Sequence, residues 1–406
     1  MIYIIITGSA MIDKNLLLKI FGASYMERWN DKLRPLSFYE IDKQAHKMMI
    51  AFFLANFEDD KEGFDWQEII EGGIFELIQR LVITDIKPSV LRKIKEYKEK
   101  NEEFKDWIYE QARPIIAPLG KEFSQNFKSY NKAEDNNNLN RKILGAAHLY
   151  ASKWEFDIIE RANPEGYDID LIKKEFEDSM EKFYDLEGIK LLGLYKSYRK
   201  FIDLCGQLRF QIRWANLHRV PKTSVLGHSF FVAVFSYLFS YLNGSSSKRA
   251  RNNYLTGLFH DLPEVLTRDI ISPVKKSIEG LSDIIKNFEQ EQMEKIVYPL
   301  APQKIKDALR FYSENEFDNI VEIDGAITNF HNQEISPKYN EDKFNVRDGS
   351  LVKAVDELSA FIEAKTALEN GGNSKEFLTA AITLKEKYMN SGLICGIDFS
   401  KIYEEF

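Results

Sequence analysis

The two halves of this chain echo each other at a nearly constant spacing, and that spacing constrains the fold more than any single motif. Arg28–Trp29 returns as Arg213–Trp214, 185 residues later, and His46 returns as His228, 182 residues later. The segment GIFELIQRLVITDIKPSV (73–90) returns as GLFHDLPEVLTRDIISPV (257–274), at a spacing of 184. ILGAAHLYASKWE (143–155) returns as LVKAVDELSAFIE (351–363), at 208, so the second half holds 24 additional residues before that last anchor. Self-similarity in one order at one period reads as internal duplication. It predicts two tandem domains of one architecture, 1–190 and 191–406, and a chain of 406 residues is long enough for both.

The repeated unit is helical. Apolar residues recur at three- and four-residue spacing over 16–21, 46–57, 66–83, 143–159, 171–183 and 189–201. The same spacing runs through 229–242, 253–266, 278–297, 305–312, 351–368 and 375–389. With only 21 Gly and 11 Pro and no period-two apolar ladder, the class is all-α, two tandem helical bundles. Three polar stretches read as loops: 129–141, 243–247 and 332–349. The apolar start, 1–6, is far short of the roughly 20 residues that span a bilayer and lacks the flanks of a signal peptide. It reads as a buried strand or a first helical turn. A net charge of −8 disfavours nucleic acid and anionic membranes as partners, and two cysteines exclude a disulfide framework. The chain reads as cytoplasmic.

The second half gathers potential metal ligands: His228, the adjacent pair His260–Asp261, and Asp356. Neighbouring side chains on a helix diverge by about 100°. They still converge on one ion where that edge of the helix faces a pocket. His228 at the start of one helix and Asp356 within another complete a site shared by three helices. Two imidazoles and two carboxylates suit one divalent ion such as Mn, Co, Fe, Zn or Ni and leave it formally neutral. Glu264 follows His260 by four residues, on the same helical face, and Asp269 lies just beyond. Carboxylates clustered around a half-buried helix gain nothing without a cation.

The pattern His228…His260–Asp261…Asp356 resembles the HD-domain superfamily of metal-dependent phosphohydrolases. Within it, RW…H…HDLPEVLTRD…SPVK…LVKAVDEL is similar to the bacterial HD-domain 5′-deoxyribonucleotidases, over roughly 206–368. The resemblance implies two HD-like helical domains, the second one catalytic, and release of phosphate from (deoxy)nucleoside 5′-monophosphates. It implies His228, His260, Asp261 and Asp356 as metal ligands, Glu264 as the acid at the scissile phosphate and Asp269 as the carboxylate that positions water. Arg213 then contacts phosphate, Trp214 packs near the sugar, and Lys275 lies close to the same pocket. One departure is visible: Arg268 stands where the family commonly has Gly. It either alters substrate choice at the pocket edge or points to solvent.

The first half has His46, Glu76, Leu77 and His148 at the ligand positions, but keeps Arg28–Trp29 and Asp85. Leu77 cannot bind a metal. His46, Glu76 and His148 form either a remnant two-His, one-carboxylate set or no site at all. The plainer expectation is a degenerate copy that packs on the active one as a pseudo-dimer in cis, with further homo-oligomers open. Two alternatives stand beside the nucleotidase. One is hydrolysis of an alarmone, a deoxynucleoside triphosphate or a cyclic nucleotide, with 332–349 and Arg268 reshaping the pocket. The other is a regulator without turnover that senses a nucleotide through Arg28 and Trp29.

Overall fold

The computed structural model describes residues 11–133, 138–270, 272–275, 277–330 and 333–406. The apolar start 1–6, positions 134–137 of the first expected loop and residue 332 of the third lie outside them. Helices account for 69% of the structure, so the all-α class holds.

Most periodic stretches are helices where expected. Trp66–Ile83 and Lys375–Met389 match residue for residue, the stretches starting at 143, 229 and 351 lie within Leu139–Ala162, Val225–Leu242 and Gly349–Glu369, and 46–57 runs two residues past the end of Glu40–Ala55. Buried apolar residues from Ile12 to Tyr403 form one continuous cluster through both halves. The Val225–Leu242 helix is long and apolar enough to cross a membrane, yet 89% of it is buried inside the protein. It is a core helix. Ser224 caps it by accepting from the Gly227 N–H, and Ser229 and Ser240 return their hydroxyls to carbonyls one turn back.

Several expectations are corrected. The chain between 84 and 132 carries three helices, Pro88–Glu96, Lys98–Ile116 and Lys121–Lys132, so the stretch read as a loop from 129 is helical to Lys132. Charged residues hid them: Pro88–Glu96 buries no residue at all, so it shows no core face to read. The stretch 189–201 breaks at Tyr195, and 278–297 begins its helix at Leu281 and ends in a π-helical turn, Met293–Val297. A small sheet replaces the expected absence of strands. Asn319–Ile323 pairs antiparallel with Ala326–Asn329 and, on its other edge, with Arg347–Asp348. Within 333–349 the chain forms two 3-10 turns and that last strand, and Gly349 already opens the next helix.

The most consequential correction falls at the His260–Asp261 pair. The stretch 253–266 is not one helix; Ser247–Phe259 stops at Phe259, with His260 as its C-cap. Pro263 explains this, because it has no N–H to donate and its ring would collide with the carbonyl four residues back, at Phe259. Asp261 therefore sits in a turn, and Glu264 starts a separate short helix, Glu264–Thr267, instead of sharing a helical face with His260.

Gly257, three residues before His260, is what lets this segment approach the core helix. A Cβ there would meet the Ala233 backbone at 2.8 Å and the Val232 carbonyl carbon at 2.9 Å. Backbone cannot swing aside as a side-chain tip can. Gly257→Ala is expected to destabilise the fold by about 1–3 kcal/mol and to displace His260. A urea midpoint equal to that of the wild type would show that the crossing has slack.

Candidate functional site

Four donors converge where the Val225–Leu242 helix, the turn after Phe259 and the Gly349–Glu369 helix meet. One ligand atom from each of His228, His260 and Asp356 lies within 4.8 Å of the others. Asp261 Oδ2 is 3.3 Å from His260 Nε2 and 3.7 Å from His228 Nε2, and Asp356 Oδ1 is 3.1 Å from His228 Nε2. The outer nitrogens are occupied. His260 Nδ1 lies 2.9 Å from the Gly257 carbonyl, which only accepts, so Nδ1 donates and Nε2 faces inward. His228 Nδ1 lies 3.0 Å from the Ser359 hydroxyl. His260 Nε2 and Asp261 Oδ2 are buried without any hydrogen-bond partner. Two orphaned acceptors facing one another are costly in a folded protein. A divalent cation satisfies both, so the donor set fits a metal.

Spacing on the Gly349–Glu369 helix sets the floor of the site. Lys353, Asp356, Ser359 and Glu363 recur at three- and four-residue intervals and so share one face. Lys353 Nζ donates to Asp356 Oδ2 at 2.7 Å. Burial works against the Asp356 carboxylate, but the Lys353 charge and the His228 hydrogen bond outweigh it and hold the group well below its usual range. Glu363 is 1% exposed and accepts from Arg213 Nε at 3.1 Å, Trp214 Nε1 at 2.8 Å and Thr223 Oγ1 at 2.6 Å. Burial alone would raise its carboxyl; the Arg213 and Arg219 charges bring it down to about 2. Glu363 and Lys353 were not picked out from sequence. An acid seven residues after Asp356, on the same face, was the available signal.

Over this floor opens a cavity of about 1080 Å³, lined by Arg213, Trp214, Glu264, Asp269 and Lys275 together with His260, Asp261 and Asp356. All residues expected at the site except His228, which lies beneath it, thus reach one cavity. Arg213 gives one edge to Glu363 and brings Nη1 within 4.0 Å of Asp261 Oδ2. Trp214 spends its N–H on Glu363, and its ring packs 5.2 Å from that of Phe377. Lys275 Nζ is 3.6 Å from Glu264 Oε1. Burial, and then the charges of Asp261 and Asp269, push the Glu264 carboxyl well above its usual range. Arg268 is exposed and lines no part of the cavity. Its φ of 68° lies in the left-handed region, which accounts for glycine being the common residue there.

A family model described as HD domain matches residues 205–385. Residues 205–385 are an HD domain. Curated relatives match part of the chain. The 4′-phosphooxetanocin A phosphatase of Priestia megaterium is 32% identical over 125 residues, 30% of this chain and 63% of that protein. The 5′-deoxynucleotidase YfbR of Escherichia coli (strain K12 / DH10B) is 24% identical over 188 residues, 46% of this chain and 80% of that protein. The chain thus spans less than two thirds of the phosphatase's length.

Outside the HD domain, part of the local geometry recurs. Arg28 Nε and Trp29 Nε1 both donate to Glu155 Oε2, at 2.9 and 2.8 Å. Trp29 and Trp214 share a φ of 56°, and Thr84, 184 residues before Arg268, has a φ of 58° against 68° there. The donors differ. His46 Nε2 turns to the Ile202 carbonyl at 2.9 Å, Glu76 pairs with Lys47 at 2.6 Å, and His148 Nδ1 meets Lys43 Nζ at 2.6 Å. His46, Glu76 and His148 are not brought together, so the structure does not support a remnant two-His, one-carboxylate set.

Proposed function

We propose that the HD domain is a metal-dependent phosphohydrolase that releases phosphate from (deoxy)nucleoside 5′-monophosphates. The observation that carries this reading is the pair of orphaned acceptors, His260 Nε2 and Asp261 Oδ2, buried beside Arg213 in an acidic cavity. His228, His260, Asp261 and Asp356 would hold the ion. When bound, it supplies Lewis acidity to a phosphoryl oxygen and to water. Arg213, with its Nε fixed by Glu363, presents its remaining N–H groups to the phosphate. Asp269 orients the attacking water and takes its proton. As the water oxygen bonds to phosphorus and the bond from phosphorus to O5′ breaks, Glu264, kept protonated by its surroundings, gives a proton to O5′. Lys275 balances the carboxylate left on Glu264 once its proton has gone to O5′, and the Trp214 ring packs against the sugar. The two relatives' names, a phosphatase and a 5′-deoxynucleotidase, support the same class of reaction.

The test is phosphate release from a panel of monophosphates by the full chain, with Mn²⁺ or Co²⁺ restored after chelation. Release from at least one nucleoside monophosphate is expected, with KM raised about tenfold or more in Arg213→Ala, as loss of a charge-assisted contact of 1.5–3 kcal/mol requires. No release from any member by folded, metal-loaded protein would end this reading. The cavity volume of about 1080 Å³ favours a second one, a larger nucleotide. Product analysis separates them: phosphate for the first, pyrophosphate, tripolyphosphate or a linear nucleotide for the second.

The N-terminal part, 1–190, is read as a degenerate copy of the same unit, serving as a built-in partner of 191–406. The matching Arg–Trp–Glu geometry supports this, as does the contact of Ser224 Oγ with Asp42 Oδ1 at 2.5 Å, which joins residues at the spacing that relates His46 to His228.

A further inference from the structure

The N-terminal unit, read as a copy of the HD domain, gathers buried lysines where, among the described residues, no metal donors meet. Around the metal donors of the HD domain, carboxylates outnumber cations. In the N-terminal unit Arg28, Lys43, Lys47 and Arg80 stand among Glu40, Glu76, Glu155 and Asp85, the last 4.0 Å from Arg80. Glu40 is shared by Arg28 Nη1 at 2.8 Å and Arg80 Nε at 3.2 Å. Glu76 is taken by Lys47 and the Tyr130 hydroxyl. Lys43 is completely buried, and among the described residues no carboxylate lies within ion-pair distance of its Nζ; its hydrogen-bond partner is the His148 ring. Burial pushes that ammonium down to about 7, and the Lys43 charge in turn holds His148 far below its usual range. A buried ammonium whose nearest carboxylates, Glu40 and Glu76, lie beyond ion-pair distance is an unfavourable arrangement that an anion would relieve.

The place is reachable from water. His148 is exposed, and the side chains of Arg28, Arg80 and Glu76 keep 13%, 21% and 25% of their surface, against 14% for Arg213 and 16% for Asp261 in the HD domain. Among the described residues, Arg28 Nη2 and both Nη atoms of Arg80 make no hydrogen bond. These are the donors that recognise phosphate oxygens. We propose that this N-terminal cluster binds a phosphate group, free or esterified, without a metal ion, through Arg28 and Arg80, with the buried Lys43 and Lys47 supplying charge from beneath. The site is distinct from the hydrolytic one, and its occupancy does not depend on turnover.

The experiment is equilibrium binding of radiolabelled orthophosphate, and separately of ribose 5-phosphate, to the full metal-loaded chain carrying Arg213→Ala to weaken the HD-domain site. Saturable binding with a Kd below about 1 mM and one equivalent per chain is expected. His148→Glu supplies a carboxylate to Lys43 from within the chain. It should weaken binding at least tenfold while leaving the unfolding temperature equal or higher, and Lys43→Met should weaken binding similarly. Ester binding at least tenfold tighter than orthophosphate identifies a phosphate ester as the ligand; equal binding identifies free phosphate. Absence of saturable binding to the Arg213→Ala chain overturns the proposal, as does binding that a folded His148→Glu chain retains in full.

Discussion

Asp261→Ala is expected to strip the HD domain of its metal and to lower phosphate release by about three orders of magnitude or more. Asp261 Oδ2 lies within 4 Å of both imidazole nitrogens that face the site. Its loss removes one of two anionic donors, and with it the charge neutrality that makes a buried dication tolerable. The fold should survive, because Asp261 sits in a turn and its Oδ2 has no hydrogen-bond partner to lose. Elemental analysis of wild type and variant, purified side by side, reads the first effect, and hydrolysis of the best monophosphate reads the second. A variant with full metal content and unimpaired turnover would remove Asp261 from the ligand set.

The second large effect is on stability. Glu363→Gln is expected to cost about 3–5 kcal/mol at neutral pH, as when one member of a buried ion pair is removed. Glu363 is the acceptor for Arg213, Trp214 and Thr223, and Arg219 stands 3.8 Å away. The neutral amide would leave Arg219 without its counter-charge and Arg213 with only the more distant Asp261, at 4.0 Å. The sign of the pH dependence follows from the depressed carboxyl. A group at about 2 in the folded state and at its ordinary value of 4.5 in the unfolded chain stabilises the protein fully above that ordinary value. The stabilisation, about 3 kcal/mol, fades as pH falls from roughly 5 to 2. Urea unfolding across that range should show this loss in the wild type and its absence from the variant. Parallel curves for the two proteins would contradict the assignment. Because Glu363 also fixes Arg213, the variant should raise KM for phosphate substrates.

Much of the HD domain is legible in linear order. Helices whose apolar faces pack the core announce themselves by spacing, as in 66–83 and 375–389. Helices that bury little do not, and Pro88–Glu96 was missed for that reason. The donor types were legible too, because histidines and carboxylates interleaved with apolar residues make little sense without a cation. The helix break at Phe259 was available from Pro263, yet apolar periodicity carried the expected helix past it. The hub at Glu363 was harder to see, since its partners Arg213 and Trp214 lie about 150 residues away in the chain.

The amino-acid order alone determined the helical class, the chemistry of the donors and the helix break that Pro263 forces at Phe259. These depend on spacing and covalent geometry within a few residues. Packing alone decided which acid holds Arg213, how His260 orients its inward nitrogen, and that Lys43 and Lys47 are buried against His148 and Glu76. A side chain's charge state and partners depend on what other distant segments bury it with, and no local pattern encodes that.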